Sequence, residues 1–464
     1  MLDSRVLTIS QIRACENKYI KKYSLNKLIN LASKKLAEFL RKNYENKKIL
    51  FICGYGNNGK DGELAFKKIL TKTKSSIITL KKNKKINEKQ IRLLIQTTDV
   101  IIDCIFGIGL NRDIKGDLEN LIIIINNSNK YVVSVDIPSG LNGDSGKIMG
   151  ICVKANLTLA IGFYKPGHFI LPGKSFSGKV CRLSINLNPN NEIKPRITLL
   201  NKSYFNMRFP SFGAEVHKYN KGHVAVIGGE MAGASRLVAF AARKVGCGIS
   251  TILVEKKYFG FYSKSEPGTI IQNFSLESLK NKDTLVIGPG LGKKFNQNKV
   301  LKIISAFHGP IIVDADAISI FKDNKDSFLN ILKSKQNIIL TPHEGEFKRI
   351  FNDNSSLSKI QKCYNASQKI NNCVILKGND SVVSFHDHNI WINNLAENKL
   401  ATAGSGDLLC GILAGLLAQK MELSYAVVAS IWMHSMVSRP RANVVVEDFL
   451  NELPKIIDFI KKNN

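Results

Sequence analysis

The sequence predicts an α/β protein made of two three-layer domains, each a parallel sheet covered by helices. Three observations carry this. Short apolar β-like runs alternate with helical patterns along the 464 residues. Several of the runs end in turns that bear Gly or Asp, as βα turns do. The alternation lapses over 188–220, "NPNNEIKPRITLL" to "MRFPSFGAEVHKYN", and then begins again. The boundary is expected near 207, giving domains 1–207 and 208–464.

In the first series, strands are expected at 48–53, 75–80, 99–105, 131–136, 157–163 and 180–187. Helices are expected at about 8–23, 26–43, 62–72 and 116–127. In the second series, strands are expected at 223–228, 250–254, 283–288, 310–314, 337–341, 373–377 and 389–393. A helix should follow Gly406, where Leu408, Leu409, Ile412, Leu413, Leu416 and Leu417 recur at helical spacing.

Composition excludes several classes. The apolar fraction, 44%, is ordinary for a globular chain. No run approaches the roughly 18 apolar residues of a membrane span. The start, "MLDSRVLTISQIRACENKYIKKY", lacks the apolar core of a signal peptide. A cytoplasmic protein without a membrane partner is expected. The nine cysteines are scattered, none forms C-x-x-C, and they read as reduced thiols. The net charge of +30 is spread over the chain in a Lys-, Asn- and Ile-rich composition. It lacks the clustered basic face and reading motif that nucleic-acid binding requires, so no nucleic-acid partner is expected.

Residues 54–62, "GYGNNGKDG", follow the apolar run "ILFIC" and contain G-x-G-x-x-G at Gly54, Gly56 and Gly59. A dinucleotide-binding βαβ unit wants an acid at the end of the next strand to hold the ribose. That region reads "SSIITLKKNKK", with no acid. The more specific feature is the polar set Asn57, Asn58 and Asp61, whose amides and carboxylate suit a ribose, a polar base or a hard cation. Two more turns follow strands: "IIDCIFGIGLNRDIKG" with Asp103, Gly107 and Gly109, and "VVSVDIPSGLNGDSG" with Asp136. Ligands of open α/β sheets lie outside the carboxyl ends of the strands, so the three motifs should line one crevice.

"GYGNNGKDG", "DCIFGIG", "VDIPSGLNGDSG" and "IGFYKPGH" together resemble the NAD(P)H-hydrate epimerase domain, a Rossmann-like fold, over nearly all of 1–205. That family equilibrates the R and S epimers of coenzyme hydrated at C6 of the nicotinamide ring. The resemblance implies that Asn57, Asn58, Gly59, Lys60 and Asp61, with Gly107, Ile108, Gly109, Leu110, Asn111, Arg112 and Asp113, contact the hydrate. Asn58, Asp103 and Ser139 would coordinate K⁺. Asp136 would sit at the reacting ring, where epimerising a carbinolamine carbon needs proton transfer at the hydroxyl as it leaves and returns. A dinucleotide bound as substrate makes the missing ribose acid intelligible. The family usually has Gly where this chain has Lys60, which can contact phosphate or crowd a bound cation. Ser33 likewise stands where Gly is expected.

In the second half, "NKLATAGSGDLLCGILAGLLAQK" puts Gly-Ser-Gly-Asp at a helix N-terminus. Free N–H groups and the helix dipole there favour phosphate, and Asp407 can accept a proton from a substrate hydroxyl. Other turns add Asp314 and Asp316 in "PIIVDADAI", His343, Glu344 and Glu346 in "IILTPHEGEF", and Lys377 in "VILKGNDSVV". His386 and His388 in "SFHDHN" have no third ligand nearby and read as a polar hairpin turn.

"GPGLG", "TPHEGEF" and "GSGD", in that order, resemble the ribokinase-like NAD(P)H-hydrate dehydratase over about 215–464. The resemblance implies that Ala234, Gly290 or Gly292, His343 and Asp407 bind the hydrate. Lys377, Gly378, Asn379, Asp380, Ser381 and Gly406 would bind ADP, with Mg²⁺ bridging the phosphates. The family often has N-x-G-N ahead of this turn. Here "NNLAENKLATAGSGD" lacks that Gly but keeps Asn394 and Asn398. The expected protein is therefore a bifunctional repair enzyme: an epimerase, then a dehydratase that takes the S epimer of NADHX or NADPHX and consumes ADP. A homo-oligomer is expected, since the family tends toward assemblies. The rival is an ATP-dependent small-molecule kinase, which would need no epimerase.

Overall fold

The computed structural model describes residues 4–69, 74–82, 84–189, 195–351, 356–439 and 445–462. Residues 70–72 of the helix expected at 62–72, and 190–194 of the expected lapse, lie outside the described residues. The chain divides into two compact units, Met1–Ile197 and Thr198–Asn464.

The first unit opens with α1 (Ile9–Lys22) and α2 (Leu25–Tyr44). Thr8 accepts the Gln11 N–H while the Gln11 side chain accepts the Thr8 N–H, a reciprocal cap that fixes where α1 begins. Then follow β1 (Ile49–Cys53), α3 (Asn57–Ile69), β2 (Ser75–Thr79), α4 (Glu88–Gln96), β3 (Val100–Cys104), α5 (Asp117–Asn126), β4 (Tyr131–Val135), β5 (Leu157–Ile161) and β6 (Lys179–Leu183). The strands are all parallel, in the order β2-β1-β3-β4-β5-β6. β1 and β3 are buried throughout, which is why "ILFIC" and "VIIDC" are nearly unbroken apolar runs. Strand order reverses between β1 and β3, so a crevice opens at the carboxyl ends of these two strands.

Two of the helices named above differ from expectation. α3 begins at Asn57 rather than 62, so the polar residues of "NNGKD" form its first turn. α4 was not expected. Its buried residues are only Ile91 and Ile95, one turn apart, with Leu94 partly buried beside them, and Asn87 caps it inside a lysine-rich stretch. Ser33, on α2, is fully buried, and its hydroxyl donates to the Asn30 carbonyl at 3.0 Å, so serine is accommodated there.

The second unit contains β7 (His223–Ile227), α6 (Ala232–Val245), β8 (Ile249–Val254), β9 (Thr269–Asn273), β10 (Thr284–Ile287), β11 (Ile311–Val313), β12 (Ile338–Leu340), α7 (Glu344–Ile350), α8 (Lys359–Ile370), β13 (Cys373–Leu376), β14 (Val382–Ser384), β15 (Asn389–Ile392), α9 (Ser405–Ala418) and α10 (Leu423–Met436). These strands run in the order β15-β14-β13-β12-β11-β10-β7-β8-β9, parallel except for the β13-β14-β15 meander. The order again reverses, between β7 and β10. β9 and β14 were not expected, the first because an edge strand is largely exposed, the second because it has three residues. "SFHDHN" is the β14–β15 turn, with His388 at φ +69° and its Nδ1 2.8 Å from the Tyr364 hydroxyl. Phe205 and Phe209, within the expected lapse, pack in the core of this unit.

α9 is buried on nearly every face because it lies between α6 and α10. Gly411 and Gly415 make the crossing possible: a Cβ would stand 2.6 Å from the Val238 carbonyl and 2.7 Å from the Ala242 carbonyl, respectively. This fixes the N-terminus of α9 at the carboxyl ends of the strands.

Candidate active sites

In the first unit the turn after β1 is held by close backbone contacts. A Cβ on Gly59 would be 1.7 Å from the Gly54 carbonyl, and one on Gly62 would be 2.6 Å from the Cys104 sulfur. These glycines let α3 pack hard against β1 and β3, which turns Asn57, Asn58 and Asp61 toward the crevice. A cavity of about 440 Å³ lies there, lined by these three, by Gly107, Ile108, Gly109, Leu110, Asn111 and Arg112, and by Asp136. The three predicted turns therefore do share one site. Gly59, Lys60 and Asp113 do not line it; the Lys60 and Asp113 side chains are exposed, and Lys60 lies on the outer side of α3.

Asp103 is fully buried and does not itself line the cavity. It accepts four hydrogen bonds, from Ser139 Oγ at 2.6 Å, Ser134 Oγ at 2.8 Å, Ser139 N at 2.9 Å and Ile105 N at 3.2 Å. Burial still pushes its carboxyl up, against those bonds. Buried Asn58 donates its amide to the Val135 carbonyl at 3.2 Å. Asp61 Oδ1 is buried without a hydrogen-bond partner. Burial, then Asp136 and Glu16, hold its carboxyl well above the usual range.

The sequence reading missed Arg13 and Glu16 of α1, Tyr55 and Phe106, which also line this cavity. It also missed Lys165, which is fully buried and ion-paired with Asp136. Burial raises Glu16, and Asp136 adds to the shift.

In the second unit Asp407 lies in the first turn of α9 and lines two cavities. One, about 700 Å³, is also lined by Lys377, Gly378, Asn379, Ser381 and Gly406, by His343 and by Asn398. The other, about 490 Å³, contains Ala234 with Arg236, Glu266 and Glu447. Gly290 and Gly292 line neither cavity. They form the turn under α6, with the Gly292 N–H donating to Asp316 at 2.9 Å. Asp380 is also outside, ion-paired to Lys359 at 2.6 Å. His343 stands on the larger of these cavities rather than with Ala234. It caps α7, its Nδ1 accepting the Gly345 N–H at 2.9 Å, which leaves its proton on Nε2.

Burial, foremost, and then Asp314 push the Asp407 carboxyl up to about 7, with Lys377 opposing. Lys377 Nζ is 2.5 Å from Asp314 Oδ1 and 4.0 Å from Glu346. Burial alone would lower that ammonium, but Asp314, Cys410 and Glu346 hold it above its ordinary value. His434, unforeseen in an apolar helix, reaches the start of α9: its Nε2 lies 2.9 Å from both Ser405 Oγ and the Ser405 carbonyl. Burial lowers it to about 4, so the imidazole is neutral at pH 7. Both sites also strain a non-glycine strand-end residue, Asp136 at φ +70° and Ala315 at φ +48°. Among the described residues no group of three or more His, Cys, Asp or Glu side chains is arranged to hold a metal, and no helix is long and apolar enough to cross a membrane.

Each unit is thus an open α/β sheet with a polar, glycine-edged cavity and a carboxylate at its strand ends, the build of an enzyme with two active sites. Comparison with known proteins agrees. Residues 224–457 match the family model described as NAD(P)H-hydrate dehydratase, and 64–167 match the YjeF-related protein N-terminus. The bifunctional NAD(P)H-hydrate repair enzyme Nnr of Dictyoglomus turgidum is 31% identical over 521 residues, covering 99% of this chain and all of that one. The enzyme of the same name from Moorella thermoacetica is 27% identical, covering 93% of this chain and 92% of its own. A crystal structure of a ribokinase-like superfamily protein from Enterococcus faecalis aligns with TM-score 0.51 at 21% identity, over 59% of this chain and 99% of that one. The chain belongs to the family of bifunctional NAD(P)H-hydrate repair enzymes.

Proposed function

We propose that the first unit interconverts R- and S-NAD(P)HX at Asp136, and that the second dehydrates the S form at Asp407 with ADP as phosphoryl donor. The observation that carries this is the position of Asp407, on the wall common to the Lys377–Ser381 cavity and the Ala234 cavity. A base placed between a nucleotide and a second ligand is what phosphoryl transfer from one to the other requires.

In the second unit Asp407 takes the proton of the C6 hydroxyl as the hydroxyl oxygen attacks the β-phosphorus of ADP, releasing AMP. The C6–O bond then breaks with its electron pair leaving on phosphate. The ring nitrogen lone pair forms C=N, and loss of the C5 proton restores NAD(P)H. Phosphorylation is what makes the hydroxyl a good leaving group. Lys377 faces the nucleotide phosphates, and the N–H groups at the start of α9 receive the charge of the moving phosphoryl. Mg²⁺ suits this cavity because it keeps waters and phosphate oxygens and needs one or two carboxylates, here Asp314; when bound it would neutralise phosphate charge.

In the first unit Asp136 passes a proton to the C6 hydroxyl as it departs as water and recovers one when water adds to the opposite face. K⁺ fits below it. Asp103 is a buried carboxylate whose four hydrogen-bond partners are all neutral, and the Ser139 hydroxyl meets it directly. Asn58, Asp103 and Ser139 would hold the ion, which would neutralise that charge and stiffen the three loops. The nine thiols are free, eight of them buried, which supports a cytoplasmic setting. We take the assembled form to be a homo-oligomer.

The test is Asp407→Asn in the full chain. NADH regeneration from S-hydrate should fall by at least about 10²-fold, as for loss of a general base, while exchange between epimers continues. Regeneration at the wild-type rate would remove Asp407 from the chemistry.

A further inference from the structure

We propose that Lys165 is the positioning residue of the epimerase site, acting through Asp136 by holding one of its carboxylate oxygens so that the other faces the ring hydroxyl. The inference rests on the reading of the first unit given above. Lys165 is fully buried, an expensive place for an ammonium unless it is paired and hydrogen-bonded. Its Nζ donates to Asp136 Oδ1, and to the Ile161 carbonyl at 3.1 Å. Asp136 Oδ2 faces the other way: a Cβ on Gly107 would stand 3.2 Å from it. Asp136 and Gly107 line the cavity, and Lys165 does not. The lysine is therefore behind the carboxylate and the substrate space is in front.

The loop "YKPGH" is built to maintain this. The Lys165 N–H donates to His168 Nδ1 at 3.2 Å, which places the imidazole proton on Nε2, 3.0 Å from the Asp136 carbonyl. The His168 N–H in turn donates to the Lys165 carbonyl at 3.2 Å. One loop thus grips the backbone of Asp136 through His168 and its side chain through Lys165. Asp136 holds a left-handed backbone, φ +70°, that a non-glycine residue keeps only where its surroundings over-determine it. Epimerisation asks one oxygen to give a proton to the departing hydroxyl and to take one back from the water that adds to the opposite face. A carboxylate fixed at one oxygen and open at the other meets that demand without reorganising.

The experiment measures R-to-S exchange of NADH hydrate by the full chain, with dehydration of pure S-hydrate by the second unit of the same molecule as the internal control. Lys165→Met should lower kcat of exchange about 10²-fold, the cost of a misplaced catalytic group, with KM little changed and S-dehydration intact. In an Asp136→Asn background, Lys165→Met should cost nothing further, because the two act as a unit. Exchange at the wild-type rate in Lys165→Met, or the same fold-loss on both backgrounds, would overturn the proposal alone. If the single variant does not fold, the double variant, whose buried pair is neutral, decides: a rate equal to that of Asp136→Asn supports the proposal, and a further loss of about 10²-fold refutes it. Absence of exchange in the wild-type chain would overturn the reading of the first unit, and this inference with it.

Discussion

In the proposed mechanism regeneration turns on Asp407, whose environment would set the pH at which it works. Burial and Asp314 raise its carboxyl to about 7, so a base at this position is half-charged near neutrality. The value of kcat/KM for S-hydrate should rise about tenfold per pH unit below pH 7 and level off above it. A flat profile from pH 5 to 9 would exclude Asp407 as the base. The stability sign follows from the same shift. A carboxyl raised in the folded state is stabilising below its unfolded value near 4, and that stability is lost as pH rises through 7. Asp407→Asn should therefore raise the melting temperature of the second unit more at pH 8 than at pH 5, which calorimetry at the two pH values checks. Lys60 leads to the opposite expectation. It is exposed and outside the cavity, so Lys60→Gly should leave the potassium dependence of epimer exchange unchanged. It should cost only about 0.5–1 kcal/mol of stability as a glycine inside a helix. A change in potassium affinity would place the lysine at the cation after all.

At the scale of elements, α3 and α9 do the placing. Each starts at the carboxyl end of the sheet where strand order reverses, and each is drawn close by glycines. Gly59→Ala would push a methyl to within 1.7 Å of the Gly54 carbonyl. It should destabilise the first unit by about 1–3 kcal/mol and abolish epimer exchange while S-dehydration persists; exchange at the wild-type rate would show that the turn has slack. These placements were legible in the sequence because strand-end acids and glycine turns carry their own signal: Asp136, Asp407, Lys377 and the "GIGLNR" loop all reached the cavities. What was not legible shares a physical reason. Arg13 and Glu16 sit on an amphipathic helix, where charges read as a solvated face. His434 lies in the apolar run "SIWMHSM", where a lone histidine reads as core. Lys165 is one cation among 67 lysines and arginines, and only its place after a strand in "YKPGH" hinted at it. Long apolar strands declared themselves, whereas α4, with two buried isoleucines, and the three-residue β14 did not.

At the scale of the whole molecule, two open sheets in one chain make chemical sense only together. A dehydratase that takes one epimer leaves the other behind, and the first unit returns it. The direct measurement gives the purified chain a mixture of R- and S-NADH hydrate with ADP, Mg²⁺ and K⁺, and follows the absorbance of regenerated NADH. The account predicts rapid conversion of the whole mixture in one continuous phase. A fast phase that stops when the S epimer is spent would contradict it.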